Sequence, residues 1–290
     1  MRLGLYNSCL LEWEPEHLLS WAAANGFAAV ELHGGPGYRQ VDWQAVADGR
    51  SDPLLDAQER HGVRICGLMY GPLNFLSPDL AEGKRALADL EVMLRAARRC
   101  GVPLVSTFTG RDPARTLEEN LERFAEVFPR VADLAEGHGV DVAFENCPMF
   151  HDWPWRHNIA VSPAAWRRMF QLVPSPRLGL NLDPSHLVWQ GIDWRPALTE
   201  FGDRLKLVQA KDTEVLSDVQ SDEGILTPGW WRHRIPGEGM IDWEAFLSAV
   251  RQAGYDGDVS LEHEDPLYSG SQERILVGVR KARDHLARFV

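Results

Sequence analysis

Eight short apolar runs with strand-like composition recur along the chain, and segments of helical periodicity separate them. The runs lie at residues 2–6, 27–32, 63–70, 102–108, 140–144, 177–182, 204–209 and 258–262. Strands separated by helices pair in parallel through right-handed crossovers, so eight such units can close into a barrel. We therefore predict an α/β fold, a (β/α)8 TIM barrel with residues 1–290 in a single domain. A doubly wound open sheet is the alternative.

The clearest helical segment covers residues 116–136. Thr116 and Glu119 form a capping-box pattern at its start. Apolar residues then repeat at three- and four-residue steps and predict one buried stripe of Leu117, Leu121, Phe124, Phe128 and Val131. The segment 77–100 likewise carries Leu80, Leu87, Leu90 and Leu94 on one side. Further helices are predicted from Ser162-Pro163 onward, from Asp242 to near Gly254, and for 15–25, 54–61, 194–202 and 272–288.

Charge and composition indicate which kinds of binding partner the sequence disfavours. The chain has 30 Lys and Arg against 42 Asp and Glu, a net charge of −12, which disfavours a nucleic-acid partner. No apolar stretch approaches the roughly 18 residues that span a bilayer, so we expect no membrane partner and no signal peptide. Four widely spaced cysteines predict reduced thiols and a cytoplasmic protein: Cys9, Cys66, Cys100 and Cys147. A homo-oligomer is left open.

Three acidic residues, Glu145, Asp183 and Glu262, end three different predicted strands. In a barrel, polar residues at the C-terminal ends of strands point into the site. Carboxylates gathered there repel one another unless a cation neutralises them, and a hard divalent ion such as Mn²⁺ or Mg²⁺ prefers oxygen ligands. Taken singly, each carboxylate is also typical of a loop cap, an ion pair or a turn.

Two long connections, 145–162 and 213–241, follow strands and would lie on the same face of the barrel, where long loops are usually functional. They contain four tryptophans that either pack or stack on a substrate, namely Trp153, Trp155, Trp230 and Trp231. The sequence lacks a dinucleotide-binding loop, a nucleophile elbow and a metalloprotease His pair.

Five stretches at these strand ends carry a family resemblance: FENCPMF, GLNLDPSHLVWQGIDW, AKDTE, GWWRHRIPGEGMIDW and LEHEDP. They resemble the sugar phosphate isomerase/epimerase superfamily, the xylose isomerase-like TIM barrels related to AP endonuclease family 2. The resemblance covers nearly the whole chain. The motif DPSHL, a downstream KD and a final strand-end Glu are fairly specific for the superfamily, although not for any substrate.

The resemblance implies a metal site made of Glu145, Asp183, Glu262 and a histidine, but that histidine falls on Gln209. A glutamine amide oxygen can bind a hard cation, yet it lacks the imidazole nitrogen that favours Zn²⁺ or Co²⁺. Metal binding is therefore expected to be weaker, shifted towards Mn²⁺ or Mg²⁺, or lost. The histidines that build the trinuclear zinc cluster of the AP-endonuclease branch are missing from the ends of strands three and four.

The resemblance also implies isomerisation or epimerisation of a sugar, or of a sugar-like polyol or keto acid, through an enediolate. Glu145 and Glu262 would move the proton, and His186 would steady the oxyanion or relay a proton. The substrate would contact Lys211, His233, Arg234 and Trp231, although Lys211 could equally pair with Asp212 or Glu145. We expect an unphosphorylated small-molecule substrate. A metal-dependent dehydratase and a non-catalytic sugar-binding protein are the alternatives.

Overall fold

Eight parallel strands close into a barrel in the computed structural model, which describes residues 1–71, 73–148 and 157–290. Around the barrel the strands follow the order β1-β10-β7-β6-β5-β4-β3-β2. The barrel strands are β1 (Arg2–Tyr6), β2 (Ala29–His33), β3 (Arg64–Met69), β4 (Leu104–Thr107), β5 (Asp141–Glu145), β6 (Leu178–Leu182), β7 (Leu205–Ala210) and β10 (Asp258–Leu261). The predicted barrel is confirmed. The extent of one domain over residues 1–290 stays a prediction.

Helices connect the strands and cover the outside of the barrel. They are α1 (Pro15–Ala24), α2 (Trp43–Ala47), α3 (Pro53–His61), α4 (Leu80–Arg99), α5 (Leu117–His138), α6 (Pro163–Leu172), α7 (Pro184–Trp189), α8 (Trp194–Phe201), α9 (Ser217–Glu223), α10 (Trp243–Gln252) and α11 (Gln272–Leu286). The capping box of Thr116 and Glu119 is present at the start of α5. None of the described helices is long and apolar enough to cross a membrane.

The burial predicted for Leu117 is wrong, and Leu80 is exposed as well. Leu80 is 63% exposed and Leu117 is 37% exposed, because each is the first residue of its helix and lies beyond the end of the apolar stripe. The rest of the α5 stripe, from Leu121 to Val131, is buried as predicted.

The connection after β7 contains more regular structure than the sequence predicts. Strand β8 (Asp212–Val215) pairs antiparallel with β9 (Trp231–Arg234), with Asp212 opposite Arg234. Helix α9 lies between these two strands in the chain. The DPSH stretch opens the short helix α7, for which Asp183 is the N-cap.

Inward-facing side chains fill the barrel in layers. One layer is apolar and consists of Ala29, Cys66, Leu104, Ala143 and Leu207. Two residues further along, β2, β4, β6 and β10 contribute a buried polar layer of Glu31, Ser106, Asn181 and Ser260. Because side chains alternate along a strand, the next inward positions lie at the C-terminal mouth of the barrel. The candidate functional site is therefore located at the C-terminal mouth of the barrel.

Candidate functional site

Three carboxylates meet at the mouth of the barrel. Glu145 ends β5, while Asp183 and Glu262 directly follow β6 and β10. One oxygen from each residue lies within 4.8 Å of the other two, and all three side chains are buried. We call this group the carboxylate triad. The structure thus brings together the three acidic residues that the sequence singled out.

Lys211 reaches into the carboxylate triad from the end of β7. Its Nζ lies 2.9 Å from Glu262 Oε2 and 3.1 Å from Asp183 Oδ2, and it donates a hydrogen bond to Glu264 Oε2 at 3.0 Å. Because successive side chains of a strand point to opposite faces, Lys211 points into the barrel mouth and the next residue, Asp212, points away from it. The ion pairs of Lys211 are therefore made with these three carboxylates, and neither Asp212 nor Glu145 is its direct partner.

Burial and charge shift the proton affinities of the carboxylate triad. Burial raises the pKa of Glu145 well above its ordinary value, and the nearby charge of Glu262 raises it further. Burial also raises the pKa values of Glu262 and Asp183, against the opposing effect of Lys211. Two buried carboxyl groups with raised pKa values can share a proton, so one is an acid while the other is a base.

Lys211 stays charged in this environment. Burial alone would lower its pKa, but the attraction of Glu262, Glu264 and Asp183 outweighs burial and raises the pKa well above its ordinary value. For Glu264, burial alone would raise the pKa, yet Lys211 lowers it to about 2. The Lys211–Glu264 pair is therefore ionised throughout the neutral range.

His186 contacts the carboxylate triad from α7. Its Nε2 lies 3.2 Å from Asp183 Oδ2 and 3.7 Å from Glu145 Oε1. The indole Nε1 of Trp189 donates to His186 Nδ1 at 3.3 Å, so the proton of the neutral ring lies on Nε2, towards the carboxylates. Burial and the charge of Lys211 lower the pKa of His186 well below its ordinary value. The ring is thus a neutral hydrogen-bond donor.

Gln209 lies one layer below the carboxylate triad and is held by Glu31. Its Nε2 donates to Glu31 Oε2 at 3.1 Å, and Asn181 donates to the other Glu31 oxygen at 3.0 Å. The Gln209 Oε1 atom is buried and has no hydrogen-bond partner within the described part of the chain. Glu31 therefore fixes the side-chain amide so that its nitrogen is engaged and its oxygen remains available.

A cavity of ≈ 280 Å³ is lined by two members of the carboxylate triad, Glu145 and Glu262. Its wall includes the charged groups of Glu145, Glu262, Lys211 and Glu264. Apolar and aromatic groups also line it, namely Tyr6, Leu11, His33, Met69 and Phe108. This mouth cavity has the mixed apolar and polar lining of a small-molecule site.

The β8–β9 hairpin places its candidate residues beside the mouth cavity rather than on its wall. Trp231 stacks on Trp189, with ring centroids 4.8 Å apart and planes 8° from parallel. His233 packs edge-on against the ring of His186, and burial lowers the pKa of His233 to about 3. Trp230 is buried. The tryptophans at 153 and 155 lie outside the described residues.

Arg234 is held by acidic residues of its own surroundings. Its guanidinium lies 2.9 Å from Asp265 Oδ2, 2.9 Å from Glu214 Oε2 and 3.3 Å from Glu238 Oε2. These partners lie on the hairpin, on the turn after it and beyond β10. The contacts tie β9 to the end of β10, and they engage the charge that the sequence analysis assigned to the substrate.

Four residues of the site carry weaker sequence signals. Tyr6 and His33 end β1 and β2 and are joined by a 2.7 Å hydrogen bond, which position alone could have indicated. Glu264 follows Glu262 at the next inward-facing step, so the period of the strand is its signal. The role of Glu31 as the partner of Gln209 depends on contact across the barrel, which no local pattern reports.

The donor atoms fit a hard divalent cation. The carboxylate triad supplies three converging oxygens. Gln209, one layer below, has a buried amide oxygen that has no hydrogen bond among the described residues. Oxygen ligands of this kind suit Mn²⁺ or Mg²⁺. A second group, Glu145, Cys147 and His186, also lies within 4.8 Å. The proton on His186 Nε2 makes that ring a poor ligand in its present tautomer.

Comparison with known proteins agrees with this geometry. The family described as xylose isomerase-like TIM barrel matches residues 19–287. The chain belongs to this family. It is 37% identical over 300 residues to the protein YfiH of Bacillus subtilis (strain 168), covering 91% of this chain and 93% of YfiH.

Two further relatives are named enzymes. The inosose dehydratase of Lacticaseibacillus casei is 25% identical over 193 residues, covering 60% of this chain and 56% of that enzyme. The fructoselysine 3-epimerase of Escherichia coli O157:H7 is 22% identical over 278 residues, covering 90% of each chain. Sugar dehydratases and epimerases are thus among the relatives of this chain.

Solved structures share the fold across the whole chain. The structure titled IOLI protein with a binding zinc atom superposes with a TM-score of 0.77 at 21% identity. The match covers 100% of this chain and 99% of that one. The likeness supports the barrel and its topology.

Proposed function

We propose that this protein is an isomerase or epimerase that moves a proton at the carbon next to the carbonyl of a small sugar or keto-polyol. One observation carries the proposal. Glu145 and Glu262 face the same cavity from non-adjacent strands, and both are buried with raised pKa values. Removing a proton from such a carbon and returning it requires one basic and one acidic group within reach of that carbon.

The carboxylate triad can supply both groups at neutral pH. Burial raises the pKa of Glu145 and Glu262, and their mutual repulsion disfavours ionising both, so the pair retains a proton. The ionised member accepts the α-proton of the substrate, and the protonated member donates one to the neighbouring oxygen or to the opposite face. The neutral His186, with its proton on Nε2, donates a hydrogen bond to the oxygen that gains charge.

The metal ion that the family implies would be held by Glu145, Asp183, Glu262 and Gln209, and Mn²⁺ or Mg²⁺ suits these oxygens best. When bound, such an ion supplies positive charge that stabilises an enediolate. The chain contributes the orientation of its ligands: Glu31 holds the Gln209 amide through Nε2, and Ser185 N donates to Asp183 Oδ1 at 2.8 Å.

The substrate is proposed to be uncharged. Lys211 is paired with three carboxylates and Arg234 with three others, so neither cation remains for a phosphate or carboxylate group. The acidic residues on the cavity wall repel an anion. A volume of ≈ 280 Å³ accommodates a molecule of monosaccharide size. An unphosphorylated keto-sugar or inosose therefore fits best.

The test is proton exchange in D2O with a panel of neutral ketoses and inososes. We expect deuterium to enter a substrate at the carbon beside its carbonyl, as monitored by NMR, and the product to differ in composition from the substrate only by that deuterium. The control variant Glu122→Gln, on the exposed face of α5, should exchange at the wild-type rate. Absence of exchange with every member of the panel would contradict the proposal.

A dehydratase is the second candidate, because inosose dehydratases are among the relatives. The same proton removal would then be followed by loss of a hydroxyl group as water, for which a protonated carboxyl group in the triad is the acid. Mass spectrometry separates the two candidates. A product lighter by one water indicates the dehydratase, and a product of unchanged mass indicates the isomerase or epimerase.

A further inference from the structure

The carboxylate triad already contains a cation that belongs to the chain itself. The Lys211 ammonium contacts Glu262 at 2.9 Å and Asp183 at 3.1 Å, which are two of the three oxygen donors of the triad. Only 2% of the Lys211 side chain is exposed. The negative charge at the mouth is therefore balanced in part by a covalently attached group.

We propose that Lys211 is the resident cation of the carboxylate triad and lowers the affinity of the triad for a divalent ion. This inference rests on the donor set named in the proposed function. It does not depend on the identity of the substrate or on turnover. It concerns only the effect of Lys211 on the affinity for an ion that binds the same carboxylate oxygens.

Electrostatic repulsion is the physical reason. An ion bound to Glu262 and Asp183 would lie within a few ångströms of an ammonium that contacts the same two residues. Charges that are buried are screened little by salt or water, so the two cations repel each other strongly. In addition, each carboxylate that neutralises Lys211 has less negative charge to offer a second cation.

Lys211 is also held in place by a carboxylate outside the triad, that of Glu264. Its Nζ donates to Glu264 Oε2 at 3.0 Å, and the Glu264 side chain is 42% exposed. The Lys211 side chain is buried. Glu264 therefore keeps the ammonium at the triad, and displacing it would require breaking three ion pairs at once.

Titration with Mn²⁺ at one fixed pH, measured by isothermal titration calorimetry, tests the proposal. The variants are Lys211→Met, which keeps the length of the side chain but not its charge, and Lys211→Arg, which keeps the charge. We expect Lys211→Met to bind Mn²⁺ about tenfold or more tighter than the wild type, because the repulsion is removed. Lys211→Arg should bind no tighter than the wild type.

Unchanged or weaker binding by Lys211→Met would overturn the proposal, as would an equal gain in Lys211→Arg. The double variant Lys211→Met with Asp183→Asn locates the ion. Loss of the gain supports binding at the triad, and a retained gain places the ion elsewhere and overturns the proposal.

If Lys211→Met does not fold in the presence of chelator, Mn²⁺ becomes the probe of folding. A folded protein recovered with Mn²⁺ supports the proposal, because the ion then replaces the missing ammonium. Failure of Mn²⁺ to restore folding overturns it. Since calorimetry uses no substrate, a negative result here leaves the proton-exchange test of the proposed function unaffected.

Discussion

Glu31 and Gln209 meet inside the barrel, one layer below the carboxylate triad. Burial raises the pKa of Glu31 to about 7, and the hydrogen bonds from Gln209, Ser260 and Asn181 offset this only in part. A carboxyl group with a raised folded-state pKa favours the folded state most when it is protonated. Its ionisation costs nothing below its ordinary value of 4.5, and the penalty grows until the pH passes about 7.

The variant Glu31→Gln tests this pH dependence. It should equal the wild type near pH 4.5 and be more stable at pH 8 by up to about 3 kcal/mol, because the amide never ionises. The Gln209 amide can rotate to present its oxygen to the new donor. Urea unfolding at the two pH values measures the difference. A stability difference that is the same at both pH values would contradict the assignment.

Single residues show how far sequence reasoning reaches. Glu145, Asp183 and Glu262 were predicted to lie together because each ends a strand and all strands of a parallel barrel end on one face. The partners of Lys211 were not predictable, since Glu262 and Asp183 lie far from it in the chain and only the barrel brings them close. The same holds for Arg234, whose charge is engaged by Glu214 and Asp265.

Among the elements, the β8–β9 hairpin is the feature that the sequence concealed. Its strands are short and polar, and helix α9 separates them, so neither shows a clear two-residue period. Asp212 anchors the hairpin to the barrel. It accepts hydrogen bonds from the backbone of Thr213 and Ile241 at 2.8 and 3.1 Å, and from the Trp243 indole at 2.9 Å. A Cβ at Gly239 would clash with the same carboxylate.

Replacing Asp212 with Asn should loosen this connection. The amide nitrogen of Asn would face N–H groups that now donate to the carboxylate, and it cannot accept their hydrogen bonds. Each buried N–H group left unsatisfied costs about 1–3 kcal/mol. The matched control is Asp242→Asn, where the side chain caps α10 and Asn caps equally well. Urea unfolding and hydrogen exchange over residues 213–241 measure the effect. Equal stabilities of the two variants would argue against the anchoring role of Asp212.

The main barrel elements were predictable to within about two residues at most strand ends, because burial on both faces leaves continuous apolar runs. Leu80 and Leu117 show the limit of the helical pattern. Periodicity indicates which side of a helix is apolar, but it does not show that the first residue of the helix is exposed.

At the scale of the whole molecule, the net charge of −12 and the acidic mouth act in the same direction. Both disfavour anionic substrates, and the candidate cations Lys211 and Arg234 are neutralised within the fold. A neutral ketohexose and the same ketohexose phosphorylated at its terminal hydroxyl form a matched pair. We expect α-proton exchange to be at least about tenfold slower for the phosphorylated sugar, because of charge repulsion. Faster exchange of the phosphorylated sugar would contradict an uncharged substrate.

The central claim is that Glu145 and Glu262, which both line the mouth cavity, move the substrate proton. The most direct test of this claim is the exchange of the α-proton with D2O, measured by NMR for both epimers of a substrate. Glu145→Gln and Glu262→Gln should each abolish interconversion of the epimers, and each should lose exchange of at least one epimer while Glu122→Gln retains both. Undiminished exchange of both epimers in either variant would contradict the account.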